Sequence, residues 1–169
     1  SDTAGLVIGF DSTIDDGSTV GVSFSMSETD VEGKGAGKST NDIESLSTSI
    51  YMDKATDFGY IEGSFTYGVS DNSTSRKVNT AGLLRTYTGS YDSQQFSIKI
   101  GGGAPRDMGD NMNVTPFGSL TLSQITTDAY TEKSTTASDS LRLSVNQDDV
   151  NSLVGTVGVK AHKVTDSGI

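Results

Sequence analysis

The sequence predicts an all-β fold, an antiparallel up-and-down meander forming an outer-membrane-type β-barrel in whole or in part. About eight strands are expected, in one domain spanning residues 1–169. Three observations carry this. Hydrophobic residues recur at every second position nearly end to end, and helical spacing is almost absent. The apolar half of that alternation contains no charge. The other half is almost entirely Ser, Thr, Gly and Gln, in a chain with 25 Ser and 21 Thr.

The strands follow in order. An opening strand runs around Leu6 to Phe10. Val20, Val22, Phe24 and Met26 alternate with small polar residues, as do Leu46, Thr48, Ile50 and Met52. Ile61, Gly63, Phe65, Tyr67 and Val69 make a fourth stretch, and Phe96, Ile98 and Ile100 a fifth. Leu120 and Leu122, then Leu141, Leu143 and Val145, then Val157 and Val159 complete the set. Asp15-Asp16-Gly17-Ser18 is a short hairpin signal, with Gly17 free to take positive φ. Residues 32–41, 71–80, 101–113 and 131–139 are longer polar stretches and are expected as loops. Short turns alternating with longer loops suit a sheet whose two ends face different environments.

Two architectures bury the apolar face. A soluble β-sandwich packs two such faces together. It explains the polar face less well, because water-facing strands usually carry many long charged side chains. A membrane barrel, apolar outward and polar inward, accounts for both faces. Against it stands a thin aromatic girdle: no Trp, 6 Tyr and 6 Phe.

Composition excludes other classes. With no Cys, a disulfide scaffold, a Cys-based zinc site and a thiol enzyme all drop out. A net charge of −10 and a pI near 4.3 leave no basic stripe for nucleic acid. No apolar run is long enough for a transmembrane helix. The chain opens at Ser1 without a signal-like segment, so any export signal is expected to be removed or to lie outside this stretch.

The runs Ala4-Gly5-Leu6-Val7-Ile8-Gly9-Phe10-Asp11 and Gly17-Ser18-Thr19-Val20-Gly21-Val22-Ser23-Phe24-Ser25 resemble the middle of the autotransporter β-barrel domain. Ser27 to Val31, a glycine-rich turn and Ser45 to Tyr51 continue the likeness. Thr115-Pro116-Phe117 is similar to the family's "T-P-aromatic" strand start, and Ala129-Tyr130-Thr131-Glu132 to its "Y-T-E". Leu141 to Val145 followed by Asn151 to Val159 resembles its closing pattern. The motifs are individually weak, but their order and spacing over residues 4–164 make the match fairly specific.

The resemblance implies an outer-membrane translocation unit of type V secretion, a twelve-stranded barrel with a helix in the pore. The implied partners are outer-membrane lipid, the barrel-assembly machinery and the chain's own N-terminal passenger, which is absent here; the implied location is the bacterial outer membrane and cell surface. About eight strands are visible where the family has twelve, and the pore helix and the last strands with their C-terminal aromatic are not in this sequence. No cleavage site carries over. The expectation is transport without enzymatic chemistry, cofactor or metal. The rival is a Ser/Thr-rich β-sandwich binding or adhesin-like extracellular module. A barrel hydrolase comes third, because it would depend on a single histidine.

Several local patterns are weighed and set aside. Gly33-Lys34-Gly35-Ala36-Gly37-Lys38-Ser39-Thr40 looks like a phosphate loop, but Glu32 stands where the first glycine belongs and a strand follows instead of a helix. His162, the only histidine, is expected just past the last strand and solvated. Asp107 to Asn113 and Gln147-Asp148-Asp149 are acidic but lack calcium-loop spacing. Asn72-Ser73-Thr74 and Asn113-Val114-Thr115 match a glycosylation pattern that would be incidental in an outer-membrane protein.

The informative charges are Glu62, Lys99, Arg142 and Lys160, placed singly on the polar face that also carries Tyr51. On a sandwich they are wet surface residues. In a barrel they point into the lumen, where they pair, set the pore's polarity or grip a central segment. Glu62 and Arg142 are the pair to mutate first.

Overall fold

The computed structural model describes residues 1–34, 38–80, 83–134 and 140–163. The strands are β1 (Asp2–Thr13), β2 (Ser18–Glu32), β3 (Ser39–Thr56), β4 (Gly59–Thr80), β5 (Leu83–Gly103), β6 (Arg106–Asp107), β7 (Met112–Thr127), β8 (Tyr130–Thr131), β9 (Lys133–Ser134), β10 (Ser144–Val145) and β11 (Val150–Lys163). Seven long strands form one antiparallel sheet in the order β1-β2-β3-β4-β5-β7-β11. The sheet is open, with β1 and β11 as its edges. β6 adds to β7, β9 adds to β5, and β8 pairs with β10 in a separate ribbon.

Register lines the alternating residues up across every seam. Phe10, Val22, Ile50, Phe65, Ile98, Leu122 and Leu153 form one continuous row from edge to edge. A one-residue slip would put each of them on the other face, so a row this uniform pins the register. No described residue covers the row: Ile50 is 61% exposed and Leu153 is 72% exposed. Among the described residues Tyr87 is the one buried hydrophobic side chain. The sandwich alternative is therefore not favoured, since a sandwich needs a second sheet on this face and a buried layer between the two, and neither is present among the described residues.

The turns obey local chemistry. Asp16 accepts from the Ser18 amide at 3.0 Å, Gly17 sits at φ 78°, and the Ile14 amide donates to the Ser18 carbonyl at 2.8 Å. Lys54 adds an ion pair to Asp16 at 2.6 Å. Gly109, Asp110 and Asn111 all have positive φ, and Asp107 Oδ1 accepts from the Gly109 amide. The acidic Asp107 to Asn113 run thus does the work of a tight turn, since Gly, Asp and Asn tolerate this conformation best.

Three expectations need correction. Leu141, Leu143 and Val145 do not form an eighth sheet strand: only Ser144–Val145 is extended, and it pairs with Tyr130–Thr131. Residues 71–80 are not a loop but the upper half of β4, paired with β5 as far as Thr80 opposite Leu83. His162 lies inside β11, opposite Asn113, and not past the last strand. At the two ends of the glycine-rich run the Gly33 amide donates to the Ser39 carbonyl at 2.7 Å, and Ser39 opens β3. Gly35, Ala36 and Gly37 of that run, and residues 135–139 of the last polar stretch, lie outside the described residues.

Candidate functional site

The face opposite the apolar rows carries the chain's small polar residues in rows of its own. Gly9, Ser23, Ser49, Thr66, Ser97, Ser123 and Ser152 run across all seven long strands. Neighbours in this and adjacent rows exchange hydroxyl hydrogen bonds: Ser49 with Thr66 at 2.7 Å, Ser97 with Ser123 at 2.9 Å, Ser25 with Ser47 at 2.6 Å, and Ser45 with Ser70 at 2.8 Å. The result is a thin wall, wettable on one side and greasy on the other.

The apolar side is bounded. Five rows, from the one holding Ile61, where Lys54 and Ser18 mark one boundary, to the one holding Val69, span roughly 26 Å along the strands. At a tilt near 40° that is about 20 Å, the scale of the ~25 Å apolar band of a transmembrane barrel. The next row on the same face is Glu28, Glu44, Asp71 and Asp92, side by side on four adjacent strands. Like charges opposite one another are unfavourable in a sheet, and water or a polar headgroup layer is where they are tolerated. Alternation alone did not reveal this boundary; it emerges once the register is known.

Four of the five expected residues lie on the polar face. Lys99 pairs with Glu62 at 2.7 Å, both about two-fifths exposed. Tyr51 on β3 lies against Gly21 on β2, where a Cβ would collide with its ring, and donates its hydroxyl to Asp11 Oδ2 on β1 at 3.1 Å. Lys160 stands 5.0 Å from the centre of the Phe117 ring, which in turn packs on Gly158. Arg142 is the exception: it lies between β9 and β10, outside the sheet strands. It is not brought to Glu62, which sits near the other end of the sheet.

A cluster that sequence reasoning did not assign lies at that far end. Arg76, on the polar face of β4, holds Glu132 with two hydrogen bonds, Nε to Oε1 at 2.8 Å and Nη2 to Oε2 at 2.6 Å. Glu132 is only 4% exposed and also accepts from the Leu143 amide at 2.9 Å. The Arg76 guanidinium covers the buried Tyr87 ring at 4.4 Å and donates to the Leu141 carbonyl at 3.0 Å. Tyr130 stacks on Tyr91 at 4.8 Å, resting over Gly89. The Arg76 hydrogen bonds, reinforced by the Leu143 amide, hold the Glu132 carboxyl below its ordinary range. The signal was the quoted Tyr130-Thr131-Glu132 motif; its partner 56 positions away was not visible in the sequence.

A wall of this construction matches known proteins. The family description "Autotransporter beta-domain" fits residues 1–168. This chain belongs to that family. It is 30% identical over 170 residues to "Outer membrane protein A" of Rickettsia conorii, and 29% identical over 172 residues to the protein of that name in Rickettsia rickettsii. Each match covers 95% of the chain but only 8% and 7% of those relatives, so the chain spans a small fraction of their length. Among solved structures, the translocator domain of the autotransporter NalP from Neisseria meningitidis superposes with a TM-score of 0.77 at 23% identity. It covers 97% of this chain, which corresponds to 55% of that domain. The β domain of the Bordetella autotransporter BrkA gives 0.73 at 20% identity, over 98% of this chain and 64% of that one. These likenesses show a shared fold, and the family places the chain in the bacterial outer membrane.

Proposed function

We propose that this autotransporter β-domain chain forms part of the wall of an outer-membrane translocation unit that carries an N-terminal passenger to the cell surface. The observation that carries the proposal is the division of one sheet into an uncovered apolar face and a hydroxyl-lined face, in register across seven strands. Lipid would cover the apolar rows, because strand pairing satisfies the backbone and the Leu, Ile, Val and Phe side chains need no partner there. Small hydroxyl side chains on the other face would leave room for a polypeptide. The open edges β1 and β11 would pair with neighbouring strands of the complete domain, assembled by the barrel-assembly machinery, since exposed edges otherwise pair with other chains. No catalytic step, cofactor or metal enters this function.

The test expresses the full-length gene with an epitope in the passenger and follows that epitope on intact cells. Surface epitope with this domain present, and its loss when residues 1–169 are deleted, is the expected result. Equal surface epitope without the domain would contradict the proposal.

A further inference from the structure

Arg76 lies seven residues beyond Val69, the end of the apolar rows, and so about 23 Å further along β4. The β4–β5 hairpin therefore stands clear of the membrane on the side of the longer connections, which in such barrels is the extracellular side. Within residues 128–134 and 140–145, Asp128 and Lys133–Ser134 pair along the free edge of β5 in this projecting hairpin, while Tyr130, Glu132 and the stretch around Leu141 and Leu143 reach over its polar face. They are tied down by the Asp128 amide to the Asp92 carbonyl at 2.9 Å, by β9 on β5, and by the Arg76–Glu132 pair. The Glu132 amide also donates to the Leu143 carbonyl at 2.8 Å while its buried carboxylate accepts from the Leu143 amide, so this residue ties both limbs of the segment together.

We infer that this segment is a strap at the pore's outer mouth, and that Arg76 and Glu132 are positioning residues that hold it against the wall and out of the passenger's exit path. The inference rests on the translocation reading above. A side chain on the polar face at this height lies beside any chain leaving the lumen. The strap reaches over that face and is fastened by groups unlike those of the rest of the wall: a two-point ion pair on a buried carboxylate and stacked aromatics in place of paired hydroxyls. Buried bidentate pairs fix geometry, and removing one partner leaves the other charge unmatched. Released from Glu132, the limbs around Tyr130 and Leu143 would be free to swing across the mouth.

The experiment uses the full-length protein in cells and compares wild type with Arg76→Ala, Glu132→Ala and a rescue variant. The rescue carries Glu132→Ala together with Thr88→Cys and Lys133→Cys. These two positions are directly paired across β5 and β9, within disulfide reach in an antiparallel ladder. Passenger on the surface is divided by the amount of folded, heat-modifiable barrel in the membrane. Each alanine variant is expected to lower that ratio at least threefold. The oxidised rescue variant is expected to return it to within twofold of wild type, and reductant to abolish the rescue. An unchanged ratio in both alanine variants would overturn the inference, as would a fall in surface passenger that only tracks lost barrel. Failure of the oxidised cross-link to rescue would overturn it too. Absence of surface passenger in wild type would instead sink the translocation reading itself, so the two failures are distinguishable.

Discussion

The Tyr51 hydroxyl reaches Asp11 two strands away, passing over Gly21 of the strand between them, and hydrogen-bonds Oδ2 at 3.1 Å. Strands are ~4.8 Å apart, so the side chain spans about 10 Å of sheet only because Gly21 offers no Cβ to block it. Gly21→Val should displace the ring and lower stability by about 1–3 kcal/mol, the usual cost of overpacking. Tyr51→Phe should cost about 1 kcal/mol or less, since only an exposed hydrogen bond is lost. The temperature at which the barrel loses its compact electrophoretic mobility distinguishes the two; equal effects would show that the glycine is not making room for the ring.

Glu62 and Lys99 form a pair that sets charge more than stability. Both are substantially exposed, so Glu62→Gln should change stability by less than ~1 kcal/mol. It leaves Lys99 uncompensated on the polar face, and single-channel recordings of the full-length barrel should shift toward anion selectivity. An unchanged reversal potential would place the pair outside the conducting path.

Gly17 turns the β1–β2 hairpin at φ 78°, a conformation costing other residues about 1–2 kcal/mol. Gly17→Ala should destabilise by roughly 1 kcal/mol and Gly17→Asn by less, because Asn tolerates the left-handed region better. Thermal unfolding of the assembled barrel provides the comparison. Asp16 in the same turn is held well below the carboxylate range by Lys54 and then Ser18, so this turn should stay intact under mild acid.

Glu132 gives the strap a pH dependence with a definite sign. Its folded-state carboxyl lies below the ordinary value of 4.5, first because of Arg76. The resulting stabilisation is fully present above 4.5 and is lost as pH falls through the lower folded value. Protection of the Leu143 amide against hydrogen exchange should therefore persist at pH 5 and collapse only under stronger acid. In Glu132→Gln protection should be lower and flat across that range. Loss of wild-type protection above pH 5 would contradict the assignment.

The seven long strands and their two faces were readable because most residues in the membrane-height band obey a period of two, with Val7, Val154 and Gln124 as exceptions. Ile98 and Ser97 are neighbours in the chain and opposites in environment. The pattern vanishes where both faces are wet, which is why Asn72 to Lys77 looked like a loop although β4 continues through it. Leu141, Leu143 and Val145 show the reverse failure: their alternation is real, but it serves a two-residue ribbon against Tyr130–Thr131 and not the sheet. Arg142 was misplaced with them. Arg76 and Glu132 could not be joined from sequence, since their meeting depends on the register of β4 and the path of a distant connection.

The most direct test of the two-faced wall uses two adjacent cysteines, Ile98→Cys and Ser97→Cys, in the full-length protein in cells. Ser97 lies on the hydroxyl row and Ile98 on the apolar row. Ser97→Cys should react with a small water-soluble maleimide that enters the pore, while Ile98→Cys should react only with a lipid-soluble reagent. Equal labelling of both positions by the water-soluble reagent would contradict the account, because the apolar face would then be open to water and not to lipid.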